Sequence, residues 1–144
     1  MKDIDGLELS PKKIEYLKFI NHKKKAKTTE ISCEFKVDPS TTTKILLELA
    51  KTDLIIYTPY HGCSLTEKGI EYAGFLNRRH GLIVWMLAGM GMDAKTACKE
   101  AHRFEYYVTK DVVDMLCKKF SHPDHSPCGV EISRDNCCCC PGGG

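Results

Sequence analysis

The sequence predicts a mainly α fold, an N-terminal winged helix-turn-helix followed by an all-helical domain. Three observations carry this. Ser10-Pro11 and Asp38-Pro39 each read as an N-cap followed by a first helical residue. The β-prone runs of "LIIYTPYHGCSLT" flank a His61-Gly62 turn. A proline-free helical pattern then runs from Thr66 to about Met90, "TEKGIEYAGFLNRRHGLIVWMLAGM".

The first helix is expected over about Pro11 to His22, with Ile14, Leu17 and Ile20 on one face. A basic turn at residues 22–27 precedes a short helix, "TTEISCEF". A third helix begins at Pro39, with Ile45, Leu46 and Leu49 as its core face. Two helices joined by a turn of about three to four residues make a helix-turn-helix, and the following hairpin makes its wing. Gly69, Gly74 and Gly81 weaken the long fourth pattern slightly. "MGMD" breaks it, and Asp93 caps a helix of about residues 94–107. Thr109 caps another, ending near Phe120. The remainder, rich in Pro, Gly and Cys, reads as loop. Cys33, Cys63 and Cys117 fall in packed elements and are expected in the core.

The chain has 144 residues, 42% of them apolar and 28% charged, which suits a soluble globular protein. No apolar run reaches the roughly 18–20 residues of a membrane span, and the N-terminus lacks a signal-peptide stretch. A cytoplasmic location and no membrane partner are expected. Its nine cysteines then read as thiols or metal ligands rather than disulfides. Charge is uneven. Residues 12–51 carry ten Lys against five acidic groups, whereas residues 81–144 carry seven basic and eight acidic groups. A basic N-terminal half suits a polyanion partner, here double-stranded DNA. The candidate DNA contacts are Lys24 and Lys25 in the basic turn, Ser40, Thr41, Thr42, Thr43 and Lys44 at the third helix start, and His61 in the wing.

"ACKEAHRFEYYVT" places Cys98, His102 and Glu105 at spacings of four and three. On a continuous helix, turning about 100° per residue, the three share one face. Thiolate, imidazole and carboxylate are the side chains that hold transition metals. "HPDHSPCG" and "NCCCC" supply a second candidate set for metal or redox chemistry: His125, Cys128, Cys137, Cys138, Cys139 and Cys140. Four adjacent cysteines do not match structural zinc spacing.

The order winged helix, "RRH" helix, "MGMDAKTACKEAHRFEYYVT" and "HPDHSPCG" loop resembles the diphtheria-toxin-repressor family of metal-dependent regulators, over roughly residues 10–132. The chain is similar to the two-domain, manganese-type members. The resemblance implies a winged-helix DNA-binding domain over 1–72, a helical dimerisation and metal-binding domain over 73–132, and a Cys-rich tail over 133–144. It implies a homodimer that reads operator DNA as a metal-dependent repressor and is no enzyme. The implied cofactor is a divalent transition metal, iron or manganese first, with zinc, cobalt and nickel open. The family pattern places ligands at Glu15, His102 and Glu105, and a neighbouring site at His80 and Cys98. Tyr106 stands where the family has a second His, and Val84 where the second site has a carboxylate. Two rival readings are a redox-sensing winged-helix regulator acting through the tail, and a metal-handling protein.

Overall fold

The structure is a computed structural model and describes residues 4–132. Two compact units divide it: Leu9–Ala73, and the described residues of 1–8 together with those from Gly74 onward.

The first unit contains α1 (Pro11–Lys23), α2 (Thr28–Phe35), α3 (Pro39–Lys51), β1 (Ile55–Thr58) and β2 (Gly62–Leu65). Helix α4 (Glu67–Gly89) begins here. Ser10 and Asp38 cap α1 and α3 by accepting from the backbone N–H of Lys13 and Thr41. The Asp38–Thr41 bonds also hold the Asp38 carboxyl below its ordinary pKa. Ile14, Tyr16, Leu17 and Ile20 of α1 are fully buried, as are Ile31, Leu46 and Leu49. The Tyr16 and Phe35 rings stack with centroids 4.5 Å apart. Lys36, in the left-handed conformation at φ 54°, ends α2, so only Lys36–Asp38 separate it from α3.

The two strands pair antiparallel, Ile55 opposite Leu65 and Thr58 opposite Gly62. The hairpin is anchored close to its turn. Ala26 and Cys63 exchange backbone hydrogen bonds of 3.0 and 2.8 Å. Burial pushes the Cys63 thiol up to about 11, and it faces the Ala26 carbonyl at 3.4 Å. Cys33, expected in the core, is exposed. Its helix has two turns and turns Ile31 inward, so a residue two positions on points to the opposite side.

Gly69 has a different role from a tolerated weak point in α4. A Cβ there would lie 2.0 Å from the Leu54 carbonyl oxygen, a backbone atom that cannot swing away. Alanine normally favours a helix over glycine by about 1 kcal/mol. At Gly69 the overlap outweighs that gain. The Gly69→Ala protein is expected to lose roughly 2 kcal/mol in urea unfolding. An unchanged or raised midpoint would refute the close approach.

The second unit holds the remainder of α4, then α5 (Ala94–Phe104), a 3₁₀ turn (Glu105–Tyr107), α6 (Lys110–Lys119) and a loop to Ile132. Arg79, 1% exposed, donates to the carbonyls of Gly6 and Val108 at 2.8 and 3.2 Å. The Lys110 N–H donates to the Asp5 carbonyl at 2.7 Å, so residues 5–8 belong to this unit. Ile83, Val84, Ala97 and Ala101 form its core. The α-helix expected over 94–107 stops at Phe104. Glu105 caps the helix in αR geometry, its N–H still bonded to the Ala101 carbonyl, and begins the 3₁₀ turn.

Candidate metal centre

Helix α5 starts at Asp93, whose carboxylate accepts from the Thr96 N–H (3.0 Å) and hydroxyl (2.7 Å). From that fixed start, Cys98 and His102 lie one turn apart on the same face. Glu105, three residues beyond His102 at the end of the same helix, joins them and is 1% exposed. Its Oε2 accepts from His80 Nδ1 at 2.6 Å, and its Oε1 lies 3.3 Å from His102 Nδ1. The His80 and His102 rings stack at 4.5 Å. His80, Glu105 and His102 thus form one group that could hold a metal ion.

The other nitrogen of His80 faces sulfur. Nε2 is 3.3 Å from Cys98 Sγ and 3.7 Å from Cys128 Sγ. His80, Cys98 and Cys128 make the second group of this kind among the described residues. Burial depresses the His80 imidazolium, but the bond to and charge of Glu105, helped by Cys128, outweigh it and lift the pKa above the ordinary imidazole value. Burial likewise raises the Cys128 thiol. Bonds from Ser126 and the Val130 backbone, together with His80, more than reverse this and lower it.

Cys128 arrives through its loop. Ser126 and Val130 are bonded N–H to carbonyl at 2.8 Å, Ile132 donates to Asp124, and Gly129 turns at φ 94°. Gly81, next to His80, allows the approach: a Cβ there would meet Ile132 Cγ1 at 2.7 Å. Trp85 Nε1–H donates to the His125 carbonyl at 2.8 Å and secures the loop further along α4.

Among the sequence candidates, His80, Cys98, His102 and Glu105 come together. Glu15 is exposed on α1 and belongs to neither group. The sequence groups Cys128 with His125 and the tail, but in the fold it joins His80 and Cys98. His125 is exposed, pairs with Asp124 at 3.4 Å and lies in neither group. Cys137, Cys138, Cys139 and Cys140 lie outside the described residues. Val84 is fully buried in the core, consistent with its inability to ligate. Two imidazoles and a carboxylate suit manganese, iron or zinc, so the residues present fit a divalent transition metal.

Among the candidate DNA contacts, Lys24, Lys25, Ser40, Thr41, Lys44 and His61 are exposed and Thr43 is partly exposed. Thr42 is not a groove contact. It is fully buried and accepts from the Ser32 hydroxyl at 2.9 Å, tying α2 to α3. Of three successive threonines, a helix must turn one inward. Sequence reasoning missed Tyr60, 99% exposed at the wing tip with φ 70°. Tyr60, Tyr57 and Thr43 line a groove of about 460 Å³ with Lys27, Thr28 and Thr29. A β-turn signal marks the wing but does not tell which tip side chain points outward.

A winged helix followed by a helical unit with converging His, Cys and Glu side chains defines a metal-responsive DNA-binding regulator. Residues 8–63 match the family model described as the iron dependent repressor, N-terminal DNA binding domain, and residues 66–134 that of its metal binding and dimerisation domain. The chain belongs to this family, the diphtheria-toxin-repressor family of transcriptional regulators, which are not enzymes. It is 32% identical over 102 residues to an HTH-type transcriptional regulator of Methanocaldococcus jannaschii, covering 70% of this chain and 82% of that one. It is 30% identical over 97 residues to the transcriptional regulator MntR of Shouchella clausii, covering 67% and 68%. A hypothetical protein from Sulfolobus solfataricus has a similar structure, with TM-score 0.79, 26% identity and coverage of 87% of this chain and 99% of that one. The manganese regulator SloR gives TM-score 0.67 at 27% identity, covering 88% of this chain but 61% of its own. No helix among the described residues is long and apolar enough to cross a membrane.

Proposed function

We propose that this chain is a cytoplasmic, homodimeric repressor of metal-uptake or metal-homeostasis genes, whose operator affinity rises when manganese or ferrous iron binds. The observation that carries the reading is the buried Glu105 carboxylate, held between the imidazoles of His80 and His102. A bound divalent ion supplies positive charge that neutralises this carboxylate. Residues 1–72 are taken as the DNA-binding domain, residues 73–132 as the dimerisation and metal-binding domain, and residues 133–144 as a tail. Metal and operator then strengthen each other's binding by the same factor.

For the dimer, apolar surface is available. Met90, Tyr107 and Met115 are each at least 70% exposed, and Val112 shares a face of α6 with Met115. The apolar run of the sequence points instead to Ile83, Trp85, Met86 and Leu87. Of these, Ile83 is fully buried in its own unit, and the other three are partly buried.

Fluorescence anisotropy on operator DNA, with and without Mn²⁺ or Fe²⁺, tests the reading. Thr41→Ala with Thr43→Ala should weaken specific binding about tenfold and leave non-specific binding nearly unchanged. Thr42→Val should instead cost roughly 1–3 kcal/mol of stability, because it leaves the Ser32 hydroxyl buried without that acceptor. Lys24→Ala with Lys25→Ala should flatten the salt dependence, by about 0.9 in log–log slope for each phosphate no longer neutralised. If neither pair alters operator binding, the assigned DNA face is wrong.

A further inference from the structure

We propose that Cys128 is a third ligand beside His80 and Cys98, making the neighbouring site thiolate-rich and suited to a borderline-soft divalent ion of the zinc type, with Glu105 as the carboxylate behind the histidine. The site shares His80 and Glu105 with the group invoked for the operator response, and its readout is the sulfur-to-metal bond rather than DNA binding.

In tetrahedral coordination, with Zn–S bonds of about 2.3 Å and Zn–N bonds of about 2.0–2.1 Å, a nitrogen and a sulfur lie about 3.6 Å apart. His80 Nε2 is 3.3 Å from one sulfur and 3.7 Å from the other, and all three donor atoms lie within 4.8 Å of one another. A small shift of side chains would place them at the corners of a tetrahedron. The fourth corner is left for water or an external ligand.

The histidine is also oriented for this role. Nδ1 is taken up by Glu105 at 2.6 Å, so the only nitrogen left to ligate is Nε2, and it points between the sulfurs. A carboxylate behind a histidine is the usual outer shell of a zinc site, fixing the ring and raising its basicity. A single proton, on the ring or on one sulfur, serves only one nitrogen–sulfur contact well. A cation at the centre serves all three donors.

Cys98 and Cys128 come from elements 30 residues apart, and both are partly rather than fully buried. The Cys128 loop is held close to His80 by the missing side chain of Gly81 and by Trp85. Two thiolates and an imidazole select zinc, cobalt or ferrous iron over manganese, which prefers oxygen. Upon binding, the thiols release their protons to solvent and each sulfur donates a lone pair to the ion.

The test uses the full-length chain with Cys137, Cys138, Cys139 and Cys140 each replaced by serine, kept under reducing conditions and titrated with Co²⁺. A thiolate-to-cobalt charge-transfer band in the near ultraviolet, with intense tetrahedral visible bands, is expected. Zn²⁺ should bleach the bands and excess Mn²⁺ should not. Cys98→Ser and Cys128→Ser should each remove about half of the charge-transfer intensity, one of two sulfurs. Glu105→Gln should keep the band but weaken Co²⁺ binding about tenfold. X-ray absorption of the zinc-loaded protein should show two sulfur neighbours. The proposal is overturned if no charge-transfer band forms, if either serine variant keeps the parent's intensity, or if zinc shows no sulfur neighbour. Mn²⁺-dependent operator binding of the same protein reports on the regulator reading separately. Its loss with the band present sinks that reading, and its persistence with the band absent sinks this one.

Discussion

Replacing His102 with alanine is expected to abolish the metal response of operator binding while leaving the metal-free affinity near that of the parent. Allosteric coupling of this kind is typically 1–3 kcal/mol, or about 5–150-fold in affinity. The His102 side chain is 51% exposed, so its removal opens no core cavity. Glu105 keeps its 2.6 Å bond to His80, and α5 keeps its Asp93 cap. What disappears is the imidazole 3.3 Å from Glu105 Oε1. A lone carboxylate beside His80 holds a divalent ion more weakly. Anisotropy titrations at fixed salt should therefore give overlapping curves with and without Mn²⁺ for the variant, and separated curves for the parent. Circular dichroism should show the same helix content for both. A parent-like response would sink the assignment of His102.

The fold was legible where the sequence carries local punctuation. Ser10-Pro11, Asp38-Pro39 and Asp93 mark helix starts by satisfying backbone N–H groups that have no partner within the helix. Those starts appear where the sequence places them. The end of α5 was not legible. "HRFEYY" contains neither the Gly nor the Pro that usually stops a helix, so nothing in it marks the change to a 3₁₀ turn after Phe104. Cys33 was misplaced because a helix of two turns carries too weak a period to fix its inward face. Thr42 was readable: it stands four residues before Leu46 and seven before Leu49, on their buried face. The link from Cys128 to Cys98 and His80 was hidden by distance along the chain. Only the docking of a loop against Gly81 brings together residues 48 positions apart.

Asp114→Ala is expected to be the most destabilising single change in the helical unit, at roughly 3 kcal/mol. Arg78, on α4, is fully buried. Its Nη2 lies 3.0 Å from Asp114 Oδ1 on α6, and the second carboxylate oxygen takes Lys110 at 2.8 Å. Burial works against the Arg78 charge, and the bonds to and charges of Cys117 and Asp114 more than restore it. A guanidinium does not escape by losing its proton. Alanine at 114 therefore leaves a buried cation without its counter-charge. Because the Asp114 side chain is 21% exposed, water can reach part of the vacated space, which puts the loss at the lower end of the usual range. For a chain of this size the midpoint of thermal unfolding should drop by about 10 °C. The double variant Arg78→Met with Asp114→Leu removes both charges and fills the space. It should recover most of the loss, because matched apolar groups often replace a buried pair without penalty. Calorimetry on the parent, Asp114→Ala and the double variant separates a stranded charge from lost packing. A loss under about 1 kcal/mol for Asp114→Ala, or a double variant no better than the single one, would show that the pair does not hold α4 to α6.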